Sequence, residues 1–537
     1  MAGPGPFALT GRVVTMAPGA QPLANGVVYV KDDSIVDVRD ASAPAAPPPA
    51  GFENVTPIDT NGTIYPGLIE LHNHLSYDAL PLWDVPQKFS NRDKWSSGAM
   101  SDTYRKLISG PMQIVGTTPG LPEAVVRYVE VKCLLGGTTT SQGIALYSDA
   151  GIRKLYFGAC RNVEVTKDKA LPIAATRIPD VAARDVEKFF KREQASTSLI
   201  LHLAEGTDQA AESHFTALQR TDKTWAITAS LAGIHCVALT RADFDVLASK
   251  GASMVWSPLS NLLLYGATAD VASARAAGVR MGIGSDWSPS GSKNLLFELR
   301  VARAYAKTIG GIPDRDLLAM ATIDAAGILG WQNALGSIEA GKRADLLVVA
   351  RRTHDAYEHL FHCTERDVEL VVIDGVARAG TAALMTKLGR GTPTETVAVG
   401  TETRVLDLEQ SGVDPTIAGL SLAEATTRLR DALADLPQLA KPKMGAALGE
   451  PRLTLELDHD EMTDFTIRPE LPDHQGFLTG LLPMGGGPMT PLEDLLEPID
   501  LDPLTVVDDG DYLTTLAGEG NLVGHSKALA KAIGALD

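Results

Sequence analysis

Two histidines separated by one residue, His72 and His74, are the first side chains whose type and spacing could do chemistry. They end residues 68–74, a mostly apolar run that is typical of a strand. Because side chains alternate between the two faces of a strand, residues two apart point the same way. Two converging imidazoles can bind a metal ion, although this short motif alone is equally compatible with a structural or surface role.

Three further polar residues strengthen the metal interpretation. His202, His235 and Asp286 each come at the end of a short apolar stretch that reads as a strand. Histidines together with one carboxylate suit a borderline divalent ion, with zinc or ferrous iron as the natural candidates. Glu205 lies three residues after His202, where a carboxylic acid could carry protons. The sequence therefore predicts a hydrolytic metal site.

The elements that must position these residues alternate between strands and helices after about residue 66. This alternation is typical of βα units around a parallel sheet. A barrel of eight such units carries its chemistry at the carboxyl ends of its strands, where these residues fall. Strand-type sequence also occupies residues 7–65 and returns at residues 344–349 and 368–375, so we expect the early and late strands to pair.

Several motifs, taken in order, resemble the amidohydrolase superfamily, and within it the branch of cytosine and guanine deaminases and triazine hydrolases. The resemblance covers about residues 7–380. Its motifs are residues 66–74 (PGLIELHNH), 202–205 (HLAE), 233–236 (GIHC), 257–261 (SPLSN), 284–286 (GSD) and 335–346 (LGSIEAGKRADL).

This resemblance implies an α/β fold, a distorted (β/α)8 TIM barrel flanked by a β-sandwich built from N- and C-terminal segments. We expect the sandwich at residues 1–65 and 336–390, the barrel at residues 66–335, and an acidic α+β extension at residues 391–537. The extension is predicted to act as a lid or a subunit interface, or more simply as a solvated domain that adds stability.

The resemblance also implies roles for individual residues. One metal ion would be held by His72, His74, His202 and Asp286. His235 would hydrogen-bond the attacking water or polarise the substrate, Asp286 would take the proton of that water, and Glu205 would pass a proton to the substrate nitrogen. A bound cation lowers the pKa of water to about 7, from roughly 15.7 in bulk, which makes these roles chemically reasonable.

One divalent ion is expected, Zn²⁺ before Fe²⁺ or Mn²⁺. Two-metal relatives bridge their ions with a carboxylated lysine or a glutamate, and Glu164 and Lys167 supply both residue types in the corresponding segment. We interpret Glu164 as a structural carboxylate and Lys167 as a solvated lysine, which leaves one metal ion.

Four residues are predicted to contact the substrate. Tyr77, Trp83 and Trp287 follow the presumed catalytic strands and could form walls around a flat ring, although packing in the core or rim explains them equally well. Asn261 is similar to an asparagine that contacts substrate in several relatives, but an asparagine at a strand end often only caps a turn.

Composition and charge exclude several classes of partner. The 537-residue chain is 45% hydrophobic and 21% charged, as in a globular protein. Its net charge of −18 lies mainly in residues 401–537, where 25 acidic residues accompany 9 basic ones. Without a basic stripe, nucleic-acid binding is not expected. No signal-like N-terminus or apolar run of about 18 residues is present, which predicts a cytoplasmic protein without membrane contact. We expect a homo-oligomeric enzyme that acts on a small molecule.

The predicted function is hydrolysis of a carbon–nitrogen bond, other than a peptide bond, in a small cyclic or aromatic nitrogen compound. Ring opening of a cyclic amide or amidine is the first hypothesis, and deamination of an amino-heterocycle is the alternative. A catalytically silent binding or scaffold protein of the same fold is a remote third possibility.

The four scattered cysteines suggest neither a disulfide framework nor a structural zinc site.

Overall fold

The computed structural model describes the chain except for residues 1–4, 43–46, 98–99, 149–152, 157, 167, 178–180, 182, 352–354, 391–393, 410–416, 418, 442–452, 456–489 and 536–537. Within the described part, no helix combines the length and the apolar composition that are needed to cross a bilayer.

Early and late strands form one nine-stranded sheet. They pair through Ile58–Pro66 and Leu346–Ala350, which run antiparallel with Pro66 opposite Leu346. The sequence-based prediction that the two segments pair is therefore confirmed. In sheet order the strands are Glu395–Val399, Glu402–Leu406, Val376–Gly380, Val368–Ile373, Leu346–Ala350, Ile58–Pro66, Phe7–Val13, Leu23–Lys31 and Ser34–Asp40.

This sheet extends beyond the expected end of the returning strands at residue 390. Glu402–Leu406 pairs with both Val376–Gly380 and Glu395–Val399. A second sheet facing it, as in a sandwich, is not detected among the described residues. The division of the chain into four segments stays a prediction.

Parallel strands between residues 68 and 283 form the TIM-barrel-like α/β part of the fold. One group contains Leu68–Ile69, Thr138–Ser141 and Arg161–Asn162, and the other contains Ala174–Arg177, Ser198–Leu203, Leu231–His235, Ser253–Trp256 and Arg280–Ile283. Backbone hydrogen bonds link the groups on both sides, among them those from Ala174 to Val163 and from Leu71 to Ile283. All six residues of Ser198–Leu203 are buried, as expected for a parallel strand that is covered on both faces.

Helices surround these strands. The α-helices of the barrel region are Arg92–Ser96, Ser101–Tyr104, Gly110–Thr117, Leu121–Leu135, Val186–Ala195, Gln209–Thr216, Arg241–Ser249, Pro258–Tyr265, Val271–Ala277, Leu295–Thr308, Asp314–Met320 and Ile323–Ile328, and Ala382–Lys387 follows the returning strands. A short 3₁₀ helix, Leu75–Tyr77, comes directly after the two-histidine motif. Leu121–Leu135 is buried along almost its whole length, because further elements cover its outer face.

The C-terminal part of the chain supplies that cover. Its helices are Leu422–Ala434, Leu436–Leu439, Leu492–Leu495, Tyr512–Gly518, Gly520–His525 and Lys527–Ile533, and the strand Leu453–Leu455 pairs with Ala145–Ser148, which also pairs with Arg153–Leu155. Leu429 and Leu433 belong to the main hydrophobic core. Arg127 donates to the carbonyls of Ile417 and Leu420 at 3.0 and 2.9 Å. This segment is thus packed against the barrel part.

Candidate metal centre and active site

The carboxyl ends of the parallel strands bring the candidate residues to one place. His202 and His235 lie at the ends of neighbouring strands whose register pairs Leu203 with His235. Asp286 follows the last strand and forms an isolated parallel bridge with Asn73, the residue between the two histidines of the motif. The fold therefore joins the first and the last parallel strands at the site.

The potential ligand atoms are close together. Nε2 of His72 and of His74 lies 3.0 and 3.4 Å from Oδ1 of Asp286, and the rings of His72 and His202 are 4.8 Å apart. Ligand atoms lie within 4.8 Å of one another in three overlapping groups, which are His72–His74–His202, His72–His235–Asp286 and His202–Glu205–His235.

Two of the histidines are oriented by carbonyl oxygens. Nδ1 of His72 lies 3.2 Å from Oε1 of Gln142, and Nδ1 of His235 lies 2.9 Å from Oδ1 of Asn261. Because an amide oxygen only accepts hydrogen bonds, each Nδ1 carries the proton and each Nε2 faces the site with its lone pair. An acceptor behind the ring is the usual support of a metal-binding or catalytic histidine.

Electrostatics favour a donor set of neutral imidazoles and one carboxylate. Burial lowers the pKa of His72 to about 4 and moves the pKa of His202 well below its ordinary value. Burial opposes ionisation of Asp286, but the neighbouring histidines, His72 above all, outweigh it and hold the pKa of Asp286 below its usual range. Nitrogen and oxygen donors in these states fit a divalent ion such as zinc.

The backbone around the site adopts conformations that side chains usually avoid. Ala204, His235 and Asp286 have φ angles of 52°, 66° and 70°, in the left-handed region. Such residues cost roughly 1–3 kcal/mol each and persist where the surrounding structure forces them, often at functional sites. Here the left-handed residues lie at or just after the ends of three of the parallel strands.

Glu205 is held beside His235 by a tyrosine that the sequence did not single out. The hydroxyl of Tyr265 donates to Oε1 of Glu205 at 2.5 Å, and Nε1 of Trp95 donates to the tyrosine oxygen at 2.9 Å. Burial, with the nearby carboxylate, raises the pKa of Tyr265 well above its ordinary value, so that the tyrosine keeps its proton. The other oxygen of Glu205 is buried without a hydrogen bond, 3.7 Å from Nε2 of His235.

Aromatic side chains and one arginine line the cleft above these groups. The lining residues outside the candidate metal and proton-transfer groups are Tyr77, Arg92, Trp95, Tyr104 and Trp287. The Trp287 ring lies 5.2 Å from that of Tyr77 and 5.7 Å from that of Trp95, centroid to centroid. Nη1 of Arg92 is 3.9 Å from Oε2 of Glu205. The polar cluster is thus lined by aromatic side chains, whose faces are suited to contact with a flat ring.

Two of the predicted substrate contacts do not line this cleft. Trp83 is buried and packs against Phe89, with ring centroids 6.1 Å apart. Asn261 is fully buried, and its amide is used on both sides, by His235 and by the Thr268 hydroxyl at 3.1 Å. In this structure Trp83 packs in the core and Asn261 supports His235 from behind, and a contact of either residue with substrate stays a prediction.

Of the two residues considered for a second metal ion, only Glu164 is described, and other groups hold it. Glu164 accepts from the backbone of Gly143 and from the Thr176 hydroxyl, and it belongs to none of the ligand clusters found among the described residues. Lys167 lies outside the described residues.

Arg92, Trp95 and Tyr104 reach the cleft because their segment packs directly on the strand end that carries Glu205. Thr207 donates from its backbone to Ser90 at 2.7 Å, and Asn91 pairs with Gly206. A β-carbon on Gly206 would lie 2.5 Å from the Ser90 oxygen, and its φ of 140° also favours glycine. In the sequence, this contact between the segment of Arg92 and the strand end of Glu205 is indicated only by the basic and aromatic residues that lie between the first two barrel strands.

Comparisons with known proteins agree with this geometry. A model of the amidohydrolase family matches residues 185–378. The 5-methylthioadenosine/S-adenosylhomocysteine deaminase of Moorella thermoacetica is 28% identical over 409 residues, which are 67% of this chain and 91% of the relative. The deaminase of the same name from Desulforudis audaxviator is 26% identical over 65% of this chain and 88% of the relative.

The chain thus carries an amidohydrolase-family domain at residues 185–378. Two solved structures share the fold of this amidohydrolase. A zinc-bound adenosine deaminase from Xanthomonas campestris has a TM-score of 0.53 at 17% identity and covers 82% of this chain and 100% of its own. A zinc-bound atrazine chlorohydrolase from Arthrobacter aurescens has a TM-score of 0.54 at 20% identity and covers 69% and 94%. The amidohydrolase is an enzyme that hydrolyses carbon–nitrogen bonds other than peptide bonds, as the sequence predicted.

Proposed function

We propose that this amidohydrolase deaminates an amino-substituted purine nucleoside of the adenosine type. The observation that carries the proposal is the convergence of Glu205, His235 and Asp286 at the floor of a cleft with aromatic walls. A flat heterocycle between these walls would present its amino-bearing carbon to the polar cluster. The two deaminases that align over most of their length with this chain act, by name, on methylthioadenosine and S-adenosylhomocysteine.

We assign His72, His74, His202 and Asp286 as the ligands of one divalent ion, with Zn²⁺ ahead of Fe²⁺ and Mn²⁺. The oriented imidazoles and the buried carboxylate support this assignment. When bound, the ion makes a water molecule acidic enough to act as a nucleophile near neutral pH.

The residues of the chain then divide the proton transfers between them. Asp286 is ionised and accepts a proton from the attacking water. Nε2 of His235, which lies between the two carboxylates, holds the oxygen that adds to the ring carbon. Glu205, kept in place by Tyr265, takes up the proton that the water has lost and passes it to the leaving nitrogen, while the water oxygen stays on the ring carbon. The carbon–nitrogen bond breaks, and the amino group leaves as ammonia.

Ammonia release from a purified, zinc-supplemented protein tests the proposal. We expect 5′-methylthioadenosine or adenosine to yield one ammonia per nucleoside consumed, with metal near one equivalent per chain. Cyclic amides and amidines serve as the second substrate set, because ring opening consumes substrate without ammonia. Turnover confined to that set would replace deamination by ring opening, and a chain without bound metal or turnover would favour a catalytically silent protein.

The remaining features of the fold prediction are part of the same proposal. We infer that the two groups of parallel strands close into a distorted (β/α)8 barrel, because hydrogen bonds join them on both sides. We also infer that the nine-stranded sheet contributes to a sandwich and that the acidic C-terminal segment belongs to the catalytic unit.

A further inference from the structure

The loop between Asp286 and Asn294 carries a proposed metal ligand and a wall of the cleft, yet contains no helix or strand. Part of its support is internal, since Trp287 donates from Nε1 to the Ser290 hydroxyl at 2.5 Å. The backbone of Ser288 also donates to Asp78 at 2.8 Å, which ties the loop to the segment after Tyr77. The backbone of Trp83 donates to the Pro289 carbonyl at 2.7 Å, and two buried lysines add the charged contacts of the loop.

Two buried lysines hold opposite ends of this loop. Lys132, on the helix Leu121–Leu135, donates to the Ser288 hydroxyl at 2.7 Å and to the carbonyl of Asp78 at 2.9 Å. Lys293 lies in the loop itself. Each lysine side chain is 2% exposed or less, so that its ammonium group needs an anionic partner inside the protein.

One carboxylate from the C-terminal segment serves both lysines. Oδ2 of Asp502 lies 2.5 Å from Nζ of Lys132, and Oδ1 accepts from Lys293. The side chain of Asp502 is completely buried, and its backbone donates to the Ala79 carbonyl at 3.0 Å. Asp509 adds a second, more exposed contact to Lys293 at 2.9 Å.

An aromatic contact from the same segment reinforces this arrangement. The Tyr512 hydroxyl donates to the carbonyl of Gly291 at 3.2 Å, and its ring lies 4.7 Å from Nζ of Lys293. Residues 502–512 thus touch the loop of Trp287 and the segment after Tyr77, which carry two walls of the cleft.

We propose that Asp502 is a positioning residue of the active site: by bridging Lys132 and Lys293 with its two oxygens, it fixes the loop 286–294 over the metal centre. The proposal rests on the function proposed above only for its catalytic consequence. Without this carboxylate, Lys132 keeps the Ser288 hydroxyl and the Asp78 carbonyl as acceptors but loses its ion pair, so we expect its ammonium group to shift. Because Lys132 also holds Ser288, and Lys293 is part of the loop, that movement displaces Trp287 and Asp286.

Asp502→Asn in the full-length, metal-loaded enzyme tests this role. The amide keeps the shape but offers an NH₂ group to one of the two ammonium groups. We expect backbone hydrogen exchange in residues 286–294 and 76–83 to become at least about tenfold faster, as for local opening, while most of the barrel is unchanged. We expect kcat/KM for 5′-methylthioadenosine to fall about 100-fold with metal content retained, since small misplacements of catalytic groups have effects of that size.

Asp500→Asn is the matched control, because Asp500 is exposed and two residues away; it should behave as the wild type. The proposal would be overturned if Asp502→Asn left hydrogen exchange in the loop unchanged, or if exchange became faster to the same extent throughout the chain. If Asp502→Asn does not fold, Lys293→Met is the alternative variant. It leaves Asp502 paired with Lys132, and it must show the same increase in exchange confined to the loop. If the wild type deaminates neither 5′-methylthioadenosine nor adenosine, the proposed function fails, while the exchange result still decides the role of Asp502.

Discussion

At the scale of single residues, Glu205 has the clearest link between position and chemistry. Its carboxylate has one oxygen fixed by Tyr265 and the other buried without a hydrogen bond, facing His235. A buried, unsatisfied carboxylate oxygen is costly unless a proton or a polar ligand group meets it. This arrangement suits a group that exchanges a proton with a bound substrate.

Glu205→Gln should therefore lower turnover strongly, because the amide cannot carry the proton. General acid–base groups contribute about 10²–10⁴-fold, and a loss in that range is expected in kcat for the substrate that releases ammonia. Metal content should stay that of the wild type, since the proposed ligands are untouched. Glu424→Gln, at an exposed helix position, is the control. A Glu205→Gln enzyme with wild-type turnover would refute the proton-transfer role.

Tyr265→Phe examines the support of that carboxylate. The change removes the hydrogen bond to Glu205 and keeps the ring. A hydrogen bond to a charged group is worth about 1.5–3 kcal/mol, so we expect kcat to fall about 10- to 100-fold. Tyr29→Phe, in the nine-stranded sheet, should leave kcat unchanged. Equal kinetics in the two variants would mean that Tyr265 only fills space.

At the scale of elements, the site depends on parallel strands whose carboxyl ends share one edge. The starts of the strands must be fixed as well. Glu193, near the end of the helix Val186–Ala195, is buried and accepts from the backbone of Thr228 at 2.5 Å, just before the strand that ends at His235. Its second oxygen has no hydrogen-bond partner. Burial raises the pKa of Glu193 from 4.5 to about 7, against the opposing effect of the Thr228 hydrogen bond.

This shift predicts a specific pH dependence of stability. A carboxyl group with a raised pKa in the folded state binds its proton more tightly there than when unfolded. Its stabilising contribution is present below the unfolded pKa of 4.5 and is lost as the pH rises through about 7. We expect urea unfolding to show a smaller loss of stability between about pH 5 and pH 8 in Glu193→Gln than in the wild type. Identical slopes would contradict the assignment.

At the scale of the whole molecule, the acidic C-terminal segment is packed against the barrel part. Leu429, Leu433, Tyr512 and Leu516 belong to the main hydrophobic core, and Asn521 donates to the carbonyl of Leu263 at 2.6 Å. Through these contacts the segment packs against the helix Leu121–Leu135 and against the loops beside the cleft.

Ending the chain at residue 409 should therefore lower the stability of the fold as well as disturb the cleft. Removal of the segment exposes the apolar face of Leu121–Leu135 and leaves Lys132 and Lys293 without Asp502. We expect the shortened protein to aggregate or to unfold at a clearly lower temperature, measured by soluble yield and thermal melting. A well-folded, fully active shortened enzyme would show that the segment is dispensable. Light scattering on the full chain tests the predicted homo-oligomer.

The sequence alone determined the parts of this protein that depend on local pattern. Strands alternating with helices indicated the α/β fold, and His72, His74, His202, His235 and Asp286 were recognisable because each follows or ends an apolar stretch of sequence. The parallel arrangement then brings such residues to one edge.

Contacts between segments far apart in the chain were decided only by the tertiary structure. Asn261 turned out to support His235, Tyr265 to hold Glu205, and Asp502 to join two lysines of the barrel part. These side chains have no local periodicity that predicts their partners, because their roles arise from burial, where a polar group must find whichever partner the fold places within hydrogen-bond distance.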